Sequence, residues 1–163
     1  MTEVEYKDEK AAARRMLRSY NSKCAAIANI PGQIRLLELK ATSIRSATSD
    51  AAPARGGGNN REEALNANID RRERLKSQLE AAELSVEIVD RAMATLTPTQ
   101  QHILQLMHIN RHRGNVERLR RELGFEDKRS VYKQEDLCIE AFLVALNNSE
   151  RPRTDVKVRK APM

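Results

Sequence analysis

The chain has 163 residues, enough for one medium domain or two small ones. Aromatic residues are 3% and tryptophan is absent, which excludes a large aromatic core. Charged residues are 32%, the net charge is +6 and the pI is near 9.6, a moderate basic bias that fits a polyanionic partner without requiring one. The opening MTEVEYKDEK carries no apolar core of a secretory signal, and no apolar run nears the roughly 20 residues that span a bilayer. The expectation is a soluble intracellular protein with no membrane partner. Cys24 and Cys138 each fall on an apolar position of a helical pattern and read as small buried hydrophobes.

From about Thr2 to Asn29, Tyr6, Ala13, Tyr20 and Ile27 recur every seven residues, with Leu17 and Cys24 on nearly the same face. This spacing predicts a long amphipathic helix. NIPGQ then predicts a break, because Pro31 disfavours helix at Ile30 and Gly32 loosens the turn. A shorter helix follows, with Ile34, Leu37, Ala41 and Ile44 on one face. Residues 46–60, SATSDAAPARGGGNN, offer too little apolar surface to offset their ordering entropy and read as a flexible linker. A phosphate-cradling loop would need a strand before the glycines and Lys-Ser/Thr after them, and here Asn59 and Asn60 follow.

From Arg61 to Leu96 the helical pattern is sustained. Leu75, Ala82, Val89 and Leu96 form one seven-residue series, and Arg72, Leu79, Val86 and Met93 form another. Together they give the 3-4 spacing of a coiled-coil seam. Two partners for the seam are open: the first helices of the same chain, or a second copy in a homodimer.

In TLTPTQQHILQLMHI, Thr97 is a good N-cap and Pro98 suits the first helical turn. Ile103, Leu104 and Met107, joined by Leu96, make its apolar face. NRHRGN ends this helix, and Asn115 can cap the next, patterned on Val116, Leu119, Arg120 and Leu123. Gly124 stands where a helix needs a left-handed residue to stop, and Phe125 follows as an apolar plug. Asp127 can cap a third helix carrying Val131, Leu137 or Cys138, Ala141, Phe142, Val144 and Ala145.

A short helix, a glycine turn and a second helix with a basic first turn form the pattern of a helix-turn-helix. That motif places the N-terminal residues of its second helix in the major groove. Lys128, Arg129, Ser130, Lys133 and Gln134 are donor-rich side chains in those turns, suited to guanine, adenine or phosphate. Arg118, Arg120 and Arg121 on the preceding helix can lie along the backbone. His108 and His112 are four apart, as metal ligands on one helix face are, but no third ligand stands at zinc spacing. They read as surface or phosphate-contacting histidines. No nucleophile motif or nucleotide loop is present, so neither catalysis nor a cofactor or metal is expected.

The stretch LTPTQQHILQLMHINRHRGNVERLRRELGFEDKRSVYKQEDLCIEAFLVAL resembles region 4 of sigma factors. It also resembles the C-terminal domain of phage late-gene transcriptional regulators of the RinA and ArpU type. The shared features are an opening L-x-x-x-x-x-x-I-L-x-L, a helix ending in LG-aromatic (here LGF), and [ST]-V-Y-basic (here SVYK). With the upstream helices and linker, the resemblance covers most of residues 10–146. It implies that Lys128, Arg129, Tyr132 and Lys133 face DNA. Two departures stand out: RHRGNVERL replaces a short acidic or serine-rich turn, and GFEDKRS is one residue longer than the family's turn.

The resulting expectation is an all-α chain. Residues 1–96 make a helical hairpin or coiled-coil module, with its linker at 46–60 and its seam on Leu75, Leu79, Ala82, Val86, Val89 and Met93. Residues 97–146 make a sigma-region-4-like helix-turn-helix, and 147–163 a disordered basic tail. The implied function is control of phage or prophage late genes in the bacterial cytoplasm, by binding double-stranded DNA and contacting RNA polymerase or a sigma factor. Two rivals are a phage DNA-packaging subunit like a small terminase, and a helical module that contacts polymerase without reading DNA.

Overall fold

A computed structural model describes residues 3–46 and 58–149. Among these residues every regular element is a helix: α1 Glu3–Ser46, α2 Gly58–Ala94, α3 Pro98–Leu104, a π-helical turn Gln105–Ile109, α4 Asn115–Glu122 and α5 Lys128–Ser149. None of them is long and apolar enough to cross a membrane. The expected linker falls largely on 47–57 and the expected tail on 150–163, both outside the described residues.

Three boundaries differ from those read in the sequence. The expected break at Pro31 is absent, since α1 runs through it as one helix of 44 residues. A proline inside a helix costs about 3 kcal/mol through its missing N–H and its clash with the preceding turn. Burial offsets that cost: Ile30 and Ala41 are buried, and Ile27, Ile34, Leu37 and Ile44 are half-buried on either side of the proline. The apolar stripe continues across the break, and packing outweighs local propensity. Next, α2 begins at Gly58 instead of Arg61. The Arg61 guanidinium donates to the carbonyls of Ile44 and Arg45 at 2.5 and 3.1 Å, which fixes the first turn of α2 against the end of α1. Finally, α5 continues through residues 147–149, assigned above to the tail.

The chain divides into two compact units, and the division does not fall at Leu96/Thr97. One is a hairpin unit, Ser19–Glu87. The other joins residues up to Arg18 with those from Ile88 onward.

In the hairpin unit α1 and α2 are antiparallel. Asn68 Nδ2 donates to the Leu37 carbonyl at 2.9 Å, while Arg61 reaches Ile44 and Arg45. The covered face of α2 reads Arg61, Leu65, Asn68, Arg72, Leu75, Leu79, Ala82 and Val86, a strict alternation of four- and three-residue steps, and this face is covered within one chain. Ala82 is buried and the leucines are half-buried. Asn68 is a buried polar residue in the seam, a device that fixes register at some cost in stability.

The C-terminal unit has the deeper core. Ala13 and Leu17 of α1 are buried, as are Val89, Ala92, Met93 and Leu96. So are Ile103, Leu104, Leu119, Val131, Cys138, Ile139, Phe142 and Ala145. On α5 the buried stripe selects Cys138 over Leu137, which is exposed, and Val144 also faces outward. Burial pushes the Cys138 thiol up to about 11, so it is an inert apolar side chain rather than a nucleophile. Cys24 is half-buried, less covered than its apolar position implied.

Candidate nucleic-acid interface

The local chemistry of this unit sets where α5 begins. Thr97 caps α3 with a reciprocal box: Gln100 N–H donates to Thr97 Oγ1 at 3.3 Å, and Thr97 N–H donates to Gln100 Oε1 at 3.0 Å. After α3 the chain widens into a π turn, closed by Asn110 N–H donating to the Gln105 carbonyl at 2.7 Å. Asn115 does not cap α4 as expected. Gly114, at φ 99°, holds the cap position without a side-chain bond, and Asn115 turns back to donate to the carbonyls of Leu106 and Asn110 at 2.7 and 2.9 Å. Its amide is drawn off by the orphan carbonyls that the π turn leaves behind.

α4 ends in a Schellman arrangement. Gly124 has φ 69°, Phe125 N–H donates to the Arg120 carbonyl at 2.9 Å, and Gly124 N–H to the Arg121 carbonyl at 3.3 Å. Asp127 then caps α5, accepting from Ser130 N–H and from Ser130 Oγ, each at 2.8 Å. The backbone bond from Ser130, seconded by its hydroxyl, holds the Asp127 carboxyl below its usual range.

The nine side chains assigned to DNA divide into three groups. Lys128, Arg129, Tyr132 and Lys133 are exposed on the first two turns of α5. Ser130 and Gln134 are half-buried, and the Ser130 hydroxyl proton is committed to the cap. On α4, Arg120 is a structural staple. It pairs with Glu117 at 2.7 Å and donates to the carbonyls of Phe125 and Glu126 at 3.1 and 3.4 Å, bracing the glycine turn. Arg118 pairs with Glu122 at 2.6 Å. Arg121 is the most exposed of the three, with its nearest carboxylate, Glu117, at 4.0 Å. Glu117 also stands 3.9 Å from Lys128 Nζ, and the bond from Arg120 pulls its carboxyl down.

A partly buried ionic cluster that the sequence reading missed ties α5 to α1 and the π turn. His108, placed above on the surface, is buried beside Glu135, with Nε2 2.8 Å from Oε1. Arg14 clasps the same carboxylate through Nε at 2.8 Å and Nη2 at 3.1 Å, and its Nη2 reaches Asp136 at 2.8 Å. Lys10 bridges Asp136 and Glu140 at 2.6 and 2.7 Å and stacks over the Tyr6 ring. Burial pushes the Glu135 carboxyl up, but the bonds from His108 and Arg14 outweigh it and hold it below the ordinary value. The carboxylate therefore only accepts, and His108 Nε2 carries the donated proton. The signal was present in each helix. Glu135 is four residues from both Val131 and Ile139, Arg14 is flanked by Ala13 and Leu17, and His108 is four residues after Leu104. A charged residue on an apolar stripe needs a partner, although its sequence cannot say which.

Arg14, His108 and Glu135 of the cluster line a half-open cleft of about 590 Å³. Arg18, Leu106, Met107, residues 111–116 and Tyr132 of α5 line the rest. Among the described residues, no group of three or more His, Cys, Asp or Glu side chains is placed to hold a metal ion. No protein-family model, curated protein or solved structure matches the chain.

Proposed function

We propose that the chain is a sequence-specific DNA-binding transcriptional regulator, of the kind that controls phage or prophage late genes in a bacterial cytoplasm. In this reading α4 and α5 act as the helix-turn-helix and α5 reads the major groove. The observation that carries it is the exposure of Lys128, Arg129, Tyr132 and Lys133 on the capped first turns of α5, on a helix whose opposite face is locked into the core by Val131, Cys138 and Phe142. Such a reader needs donors that are exposed and a helix that does not move, because each bidentate base contact contributes about 1–3 kcal/mol only when its geometry is held. Arg121 supplies a phosphate contact from α4, and Arg120 and Arg118 shape the turn. RNA polymerase or a sigma factor is the proposed protein partner. No catalytic step or cofactor enters the reading.

The test replaces Lys128, Arg129 and Lys133 together by Ala. Specific duplex binding should be lost while helicity by circular dichroism is unchanged. Unaltered affinity in the folded variant removes α5 as the reader.

A further inference from the structure

The cleft beside α5 has an unusual charge balance. Its cations come from two separate segments: Arg14 and Arg18 from α1, and Arg111 and Arg113 from the turn before α4. The acid that lines it is Glu135, whose oxygens are taken by Arg14 and His108. Arg14 is thereby neutralised. Arg18, Arg111 and Arg113 are exposed and have no acidic partner within ion-pair distance among the described residues. His112 stands between the two turn arginines. α4 starts at the same place with no side-chain cap on its first turn. The His108 ring, almost wholly buried, lines the cleft and leaves its Nδ1 without a hydrogen-bond partner.

Resting on the reading of α5 given above, we infer that this cleft is a second nucleic-acid contact, in which Arg18, Arg111 and Arg113 grip backbone phosphates flanking the site that α5 reads. Three unpaired guanidinium groups around a concave surface suit phosphate oxygens, which they bind in bidentate fashion. A polynucleotide is favoured over a free anion by continuity. Tyr132 lines the cleft and also a shallower groove of about 580 Å³ that carries Lys133 and Leu137 beside Arg14, Glu135 and Asp136, the two acids being held in ion pairs with Arg14, His108 and Lys10. Tyr132 thus joins the arginine-lined cleft to Lys133 on the first turns of α5, and the acids beside it are taken up in ion pairs. The start of α1 becomes part of the reader. Its Lys10 and Arg14 are the bolts that hold it to Asp136, Glu140 and Glu135, and Arg18 lies one further turn along.

The experiment uses the full chain and a fluorescein-labelled duplex of random sequence, with anisotropy titrations over a range of chloride concentrations. Each phosphate neutralised contributes about 0.9 to the slope of log K against log salt. Changing Arg18, Arg111 and Arg113 together to Gln should lower that slope by about 2–3 and weaken binding at least about tenfold at low salt. Changing Arg71, Arg74 and Lys76 of the hairpin unit to Gln removes the same charge and should leave the slope alone. An unchanged slope in the cleft variant, or an equal fall in the hairpin variant, overturns the inference. So does competition by inorganic phosphate, at matched ionic strength, that abolishes the difference between wild type and cleft variant. The underlying reading fails separately. If Lys128, Arg129 and Lys133 are changed to Ala and specific binding persists while the cleft variant loses its slope, α5 is not the reader and the cleft still is a contact. Absence of any duplex binding by the wild type at low salt removes both.

Discussion

The two units of this chain are both helical, yet they are specified in different ways. The hairpin unit has one seam between two helices. Among its described residues only Ile30, Ala41, Ala82 and Asn68 are buried, and Leu36, Leu39, Ile69 and Leu84 remain exposed. Two helices in contact leave most of each cylinder in solvent, so a long seam still yields a shallow core. The C-terminal unit places short helices and two helix ends around Phe142, Leu17, Ile103, Leu104 and Ile139, all fully buried. It also partly buries an ion cluster. The lesson is that regular heptad spacing marks where a helix is covered, not how deeply. Depth comes from elements meeting at several angles.

Three predictions press on that contrast. The largest effect should come from truncating the deep core. Phe142→Ala should destabilise the chain by about 3–5 kcal/mol, whereas Leu75→Ala in the half-buried seam should cost about 1–2 kcal/mol. Denaturant unfolding of both variants measures the difference, and equal costs would mean that the two units do not differ in depth.

A somewhat smaller effect should come from acid. Glu135 and Asp136 are held below their ordinary values of 4.5 and 3.8, chiefly by His108 and Arg14 against burial for the first and by Lys10 for the second. The unfolded chain binds protons on these groups first, so their contribution is present above about pH 5 and is lost as pH falls through the lower folded values. The protection factors of the α5 amides, taken relative to intrinsic exchange at each pH, should therefore fall below about pH 4.5, and Glu135→Gln should flatten that dependence. An α5 equally protected at pH 3 and pH 7 would show that the cluster adds no stability.

The smallest effect tests local chemistry. A Cβ at Gly124 would meet no atom within 4 Å, but φ is 69° there. Gly124→Ala should cost about 1 kcal/mol from backbone strain alone. A neutral outcome would show that the turn relaxes into another form.

The sequence was legible where chemistry is local. Thr97 with Pro98 and Gln100, Gly124 before Phe125, and Asp127 three residues before Ser130 each carry their own hydrogen-bond partners within a few positions. The covered face of α2 follows a regular period through Leu75, Leu79, Ala82 and Val86, whereas Val89 and Met93, read as the same seam, are buried in the C-terminal unit. Reading failed where distant packing decides. Pro31 says stop, but the stripe of Ile27, Ile30, Ile34 and Leu37 carries the helix past it. Asn115 looked like a cap until the π turn supplied carbonyls for its amide. His108 looked like a surface residue, because its partner Glu135 is 27 residues away, and Arg14, which clasps the same carboxylate, is 121 residues from Glu135. Of the candidate site, Lys128, Arg129 and Lys133 were visible as basic residues in the first turns of α5, whereas Tyr132 was singled out only by the family resemblance. The cleft was not, since Arg18 is far in sequence from Arg111 and Arg113.

The central claim is that the exposed first turns of α5 choose a DNA sequence. The most direct measurement is to incubate the purified full chain with a pool of random duplexes and to sequence what it retains after several rounds. The account predicts one enriched motif for the wild type and none for the chain with Lys128, Arg129 and Lys133 changed to Ala. Enrichment of the same motif by both proteins, or of no motif by the wild type, would contradict it.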